Sequence, residues 1–252
     1  MIAALERDHP RLGERVICHL GLKTGANHVF LNPPESIEPE VLRWAIRGRD
    51  LSPFSCRRRT RLLWTHDANG QARRDLPQRA AAYLAPHLPQ LRARGDFKRG
   101  PPWTVFRARP AVARYRVVWA DLARRLSAAA LTTSRDLEQI PLNSCYVAPA
   151  RSASEARRLA AWLNSSWVRT AARVGAVPAA SGFARFNAGV IARLPLPDAV
   201  LEDQALDRLA RTGRDGERVQ EELDDRVARH LGLSSSDQSA LRSLACSTQD
   251  RR

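Results

Sequence analysis

The stretch Ile140-Pro141-Leu142-Asn143-Ser144-Cys145-Tyr146-Val147, followed closely by residues 154–173, decides the fold class. The first piece is apolar and β-prone and reads as a strand. In the second, Leu159, Trp162, Leu163 and Trp167 fall on one side of a helix, with Ser154 placed as its N-cap. Working upstream, residues 116–119, Val105-Phe106 and residues 62–64 read as further strands, and 41–46 is a short apolar run. Residues 15–20 and 29–31 give a strand–loop–strand unit around the turn at 21–27. Asn69-Gly70 marks another turn. The spacing of Ala80, Tyr83, Leu84, Leu88 and Leu91 predicts a helical segment over 76–94, split by Pro86 and Pro89. Downstream, the apolar run at 190–194 is closed by Pro195 and Pro197. Residues 202–231 are charged and helical in period, with Leu206, Leu209, Val219, Leu223, Val227 and Leu231 as a buried stripe interrupted at Gly213 and Gly216. Ser234-Ser235-Ser236 opens a last helix. Scattered strands between helices imply an α+β fold: a mixed or antiparallel sheet with packed helices and a C-terminal helical tail.

At 252 residues the chain can bury a core without disulfide or metal, and its hydrophobic content of 44% is ordinary. Its charge is not: 41 basic against 26 acidic side chains leave +15. Such an excess points first to a polyanionic partner, because each neutralised phosphate releases counterions. Lys23 and Lys98 are the only lysines. An arginine bias of that kind also follows from GC-rich coding, but it leaves net charge unchanged. Cys18, Cys56, Cys145 and Cys246 form no C-x-x-C pair and read as free thiols of a reducing compartment. No signal-peptide core follows Met1, and no apolar stretch is long enough to span a bilayer, so a cytoplasmic location is expected.

Several constellations imitate catalytic motifs. Asn32-Pro33-Pro34-Glu35 resembles the amine-binding motif of amino-methyltransferases, but Glu35 stands where an aromatic ring must stack on the flipped base. In Gly21-Leu22-Lys23-Thr24-Gly25 the lysine precedes the second glycine, contrary to a phosphate loop. Asp96-Phe97-Lys98 supplies half of a Mg²⁺-dependent nuclease site, the alternative reading, yet Asp75 does not follow a proline as the missing carboxylate should. The histidines, His66 among them, lack metal-ligand spacing, and Ser181 sits outside a nucleophile elbow. No catalytic or metal set is expected. The arginine-rich turns remain: Arg47, Arg49, Arg57, Arg58, Arg59 and Arg61, with Trp44, Phe54 and Trp64 among them. They form either a grip on phosphates and guanine edges or a solvated basic surface.

Taken in order, several stretches resemble the TaqI-like C-terminal specificity domain of N6-adenine DNA methyltransferases and restriction–modification enzymes. Residues 20–31 are similar to its "G-x-x-T-G-x-N-x-x-F" segment, and Ile46-Arg47-Gly48-Arg49-Asp50-Leu51 to its "G-[KR]-D-[IL]" turn. Tyr83-Leu84 with Leu91-Arg92-Ala93-Arg94, then Trp103, Ile140-Pro141-Leu142-Asn143-Ser144, Leu163-Asn164-Ser165 and Leu194-Pro195-Leu196-Pro197 follow in family order. Leu223-Asp224 through Leu231-Gly232-Leu233 resembles the family's final helix. The resemblance implies a target-recognition domain over residues 1–200 and a helical extension over 201–252. It implies double-stranded DNA as partner, contacted through Lys23, Thr24, Asn27, Arg47, Arg49, Arg57, Arg58 and Arg59. Methyl transfer and its S-adenosylmethionine are expected on a methyltransferase catalytic subunit, with no cofactor on this chain; the alternative is a truncated remnant that binds polyanions without sequence preference.

Overall fold

The computed structural model describes residues 9–249; Met1 to Asp8, read above for a signal-peptide core, and the Cys246 side chain lie outside what is described. The fold is α+β. A four-stranded antiparallel sheet runs in the order β1 (His19–Leu20), β10 (Cys145–Pro149), β6 (Arg116–Ala120), β8 (Ala128–Leu131). A smaller mixed sheet places β2 (Leu42–Ile46) between antiparallel β5 (Thr60–Leu63) and parallel β9 (Gln139–Pro141). The hairpin β3 (Leu51–Ser52)/β4 (Ser55–Cys56) and the three-stranded β7 (Leu122–Ala123), β12 (Ala184–Arg185), β11 (Val177–Pro178) complete the strands.

The mixed sheet packs beside α1 (Gln78–Leu84) in a core containing Leu22, Val29, Phe30, Leu62, Leu84 and Leu91. The antiparallel sheet shares a second core with α2 (Ala153–Asn164), α3 (Ser166–Gly175), α4 (Gln204–Arg214) and α5 (Gln220–His230). Here Trp119 and Trp162 are fully buried, their indoles donating to the Phe186 and Pro195 carbonyls at 2.8 and 3.0 Å. Both rings therefore bury their area without stranding an N–H. The stripe beyond residue 200, from Leu206 to Leu231, enters this same core. The last helix, α6, spans Ser235–Gln249. Among the described residues no helix is long and apolar enough to cross a membrane.

Several local expectations fail for identifiable reasons; among them, Phe106 makes a single bridge to Lys23 where a strand is expected, and Ser152, not Ser154, is the helix cap. Residues 140–147 are two strands in different sheets, because Cys145 N donates to Leu142 O and turns the chain at 142–144. Residues 29–31 do not form a strand. The Thr24 hydroxyl accepts from Ala26 N at 3.2 Å and donates to Asn27 at 2.7 Å, starting the one-turn helix Asn27–Phe30. Residues 154–173 are two helices. Ser152 caps the first through Glu155 N, and Ser165, with extended ψ, ends it and caps the second through Val168 N. Asn164 explains the break: its amide exchanges two hydrogen bonds with the backbone of Ala128, at 3.0 and 2.7 Å, and so pins the helix to β8.

Candidate nucleic-acid interface

The parallel pairing of β2 with β9 makes both strands leave the mixed sheet at the same end. Their exits, the turn at 47–50 and the turn at 142–144, therefore lie side by side. Leu142 N continues the ladder to Ile46 O at 2.9 Å, and Gly48 N donates to the Ser144 hydroxyl at 3.1 Å. A Cβ on Gly48 would stand 2.9 Å from Ser144 O and 3.1 Å from the Ala120 methyl, so only glycine allows this approach. The loop after β1 joins the same corner. Gly21 N donates to Cys145 O and Leu22 N to Pro141 O, and Gly21 has no room for a side chain against the Pro141 and Leu142 carbonyls.

Arg94 builds this loop from beneath. The residue is buried, with its guanidinium donating to the carbonyls of Thr24, Leu91, Pro102 and Thr104 and lying over the Phe30 and Phe106 rings. Thr24 is itself buried, so its hydroxyl shapes the loop and does not face outward. Lys23 pairs with Asp96, whose carboxyl this contact holds below the usual range. Asn27 is exposed. The turn at 47–50 is closed by buried Asp50, whose Oδ2 accepts from Arg47 N at 2.9 Å. Asp50 O in turn accepts from Arg57 N at 2.9 Å, tying the next arginine run to the turn. Arg49, Arg57, Arg58 and Arg59 are exposed, and Arg47 is half-buried. Arg58 donates to Arg135 O at 3.0 Å, and Arg61 lies over the Trp44 ring at 4.0 Å. Among the described residues none of these arginines has a carboxylate partner.

The turn at 47–50 thus stands beside the turn at 142–144 and carries Arg47, Arg49 and, through Asp50 O, Arg57, while the loop that continues to Lys23, Thr24 and Asn27 is bonded to the same strand end through Gly21 and Leu22. Arg94 and Gly48, which hold the corner together, carry no signal from charge or periodicity; only their place in the family-like segments marked them. The other residues singled out in the sequence have local partners. Asn32, at φ +51°, bonds through both backbone and side chain to Arg61 and fixes the edge of β5. His66 is buried beside Trp64, and desolvation pushes its pKa down to about 4. Burial raises the Cys18 and Cys56 thiols to about 12 and 11, far from a reactive thiolate. Among the described residues no three His, Cys, Asp or Glu side chains are grouped to hold a metal, and Asp96 faces Lys23, not a second carboxylate.

With this geometry in place, two solved structures share the architecture. The Type IIL restriction-modification enzyme MmeI, in complex with DNA, superposes on 93% of this chain and 36% of its own at TM-score 0.61 and 11% identity. The type IIG restriction endonuclease BpuSI superposes on 99% of this chain and 32% of its own at TM-score 0.61 and 15% identity. The likeness is one of fold. This chain spans about a third of each enzyme. No family model and no curated relative matches it.

Proposed function

We propose that the chain is the DNA target-recognition module of a restriction–modification system, of the TaqI-like type that serves adenine-N6 methyltransferases. The observation that carries this reading is the fold match along nearly the whole chain to a third of MmeI, an enzyme solved in complex with DNA. The corner described above supports the same reading, since exposed guanidiniums without carboxylate partners are available to phosphates and guanine edges. Residues 1–200 form the recognition part and 201–252 a helical extension that braces it. Double-stranded DNA is the ligand. A methyltransferase catalytic subunit is the protein partner and holds S-adenosylmethionine, and the complex works in the cytoplasm.

Selection from duplex DNA with a randomised centre, at moderate salt, tests the proposal. The bound fraction is expected to enrich a motif containing adenine, and addition of the catalytic subunit is expected to sharpen it. Binding that enriches no sequence, with or without that subunit, would leave a basic protein with a restriction-enzyme fold and would remove the proposed role.

A further inference from the structure

The inference rests on the DNA-recognition reading and assigns a reader within it. The turn at 142–144 carries three side chains: Leu142 is buried in the core, and the Ser144 hydroxyl accepts from Gly48 N. Asn143 is exposed, and its amide has no hydrogen-bond partner among the described residues. Asparagine usually occupies turns for one of two local reasons, a left-handed backbone or a side-chain bond to its own turn. Neither holds here. Asn143 is not among the residues with positive φ, and its side chain closes no turn bond.

The backbone beneath it is held on every side. Cys145 N donates to Leu142 O, Leu142 N to Ile46 O, and Asp121 N to Ser144 O, all within 3.0 Å. Gly48 abuts it with no space for a methyl group. A free amide on so fixed a support loses little conformational entropy on binding. Alongside stands the turn bearing Arg47 and Arg49.

We propose that Asn143 is a specificity-determining residue, its amide reading one base edge in the major groove while the neighbouring arginines hold the backbone. The chemistry separates these tasks. A neutral amide releases no counterions from phosphate, so it adds nothing to salt-dependent affinity. The same amide matches the N6 donor and N7 acceptor of adenine, and a well-placed pair of that kind discriminates against the wrong base by about 5- to 150-fold. The neighbouring polar groups are held by partners at least in part: Lys23 by Asp96, the Asn27 oxygen by Thr24 and the Ser144 oxygen by Gly48 N.

The test is selection from randomised duplexes with the 252-residue chain and its Asn143→Ala and Asn143→Asp variants. Affinity is titrated at several salt concentrations. With Asn143→Ala, one position of the wild-type motif is expected to lose its preference, while the salt slope and thermal midpoint stay unchanged. With Asn143→Asp, which keeps the side-chain size but offers only acceptors, preference at that position is expected to move toward cytosine. An unaltered motif in both variants would overturn the assignment of Asn143 alone. A wild-type chain that enriches nothing would overturn the assignment together with the recognition reading beneath it.

Discussion

Arginine does opposite work in the two halves of this molecule. In the helical half, Arg157 and Arg211 converge on Asp207, Arg226 and His230 on Asp203, Arg214 on buried Asp136, and Arg208 on Glu222. Arg169 is buried, donating to Leu126 O, Asn164 and Gln220, and desolvation lowers its pKa to about 9. Between residues 21 and 115, by contrast, 18 basic side chains face 7 acidic ones, so this segment alone holds +11 of the net +15. Its one ion pair among the described residues is Lys23–Asp96. The two halves teach that net charge by itself is uninformative: arginines that hold helices together and arginines left exposed without a carboxylate look identical in composition. Burial against carboxylates or carbonyls distinguishes them, as at Arg214 and Arg94.

The sharpest way to break this contrast is to move charge from each half in turn. Replacing half-buried Arg47 and exposed Arg49, Arg57 and Arg59 together by glutamine is expected to change stability by no more than about 2 kcal/mol, about 0.5 kcal/mol for each site. Duplex affinity at 0.1 M salt is expected to fall about 10³-fold if each contacts one phosphate, with the slope of log K against log salt shallower by up to about 3.6. A slope unchanged within error would mean that these guanidiniums meet no phosphate. Arg169→Ala should do the reverse. It leaves Leu126 O without its donor and takes one of two donors from the Asn164 amide oxygen, which keeps Ala128 N, at a cost of about 3 kcal/mol in urea unfolding, with the salt slope intact. A destabilisation below about 0.5 kcal/mol would show that the buried arginines are not the structural class claimed here.

The α+β class was legible because patterning over 116–119, 154–173 and 202–231 is strong, and the two turns that meet beside each other both lie in the family-like segments. What hid was every feature set by a single side chain reaching across sequence. Periodicity runs straight through Ser165, so the helix break was invisible until Asn164 was seen bonded to Ala128. The strand-like run at 140–147 conceals a turn because its residues are apolar for two different sheets. Thr24 and Arg94 resemble surface polar residues in sequence, yet both are interior, because the loop needs a hydroxyl and a guanidinium to satisfy carbonyls that no ladder reaches.

The N-terminal half also has its own titration. His66 falls to about 4 from the ordinary value of 6.5, because burial disfavours the charged ring. The unfolded chain therefore binds the proton more readily between those values. The associated stability is complete above pH 6.5 and is lost progressively as pH falls toward 4, amounting to roughly 3 kcal/mol. His66→Gln is expected to flatten the fall in unfolding free energy between pH 6.5 and 4. An equally steep fall in the variant would shift the cause to other groups.

The smallest expected effect probes the joint between loop chemistry and scaffold. Gly48→Ala adds one methyl group at a position whose backbone is ordinary, so the cost comes from space and not from φ. That methyl meets Ser144 O at 2.9 Å and Ala120 Cβ at 3.1 Å. The carbonyl belongs to the turn that Asp121 N and Cys145 N hold in place, so the turn at 47–50 is the part that gives. Overpacking of one methyl group costs about 1–2 kcal/mol in thermal or urea unfolding. The displacement also lifts Arg47 and Arg49 away from Asn143, so sequence selectivity should fall more than affinity for random duplex does. Equal losses in both would mean that the two turns act independently, and a Gly48→Ala chain as selective as the parent would show that their close approach serves the fold alone.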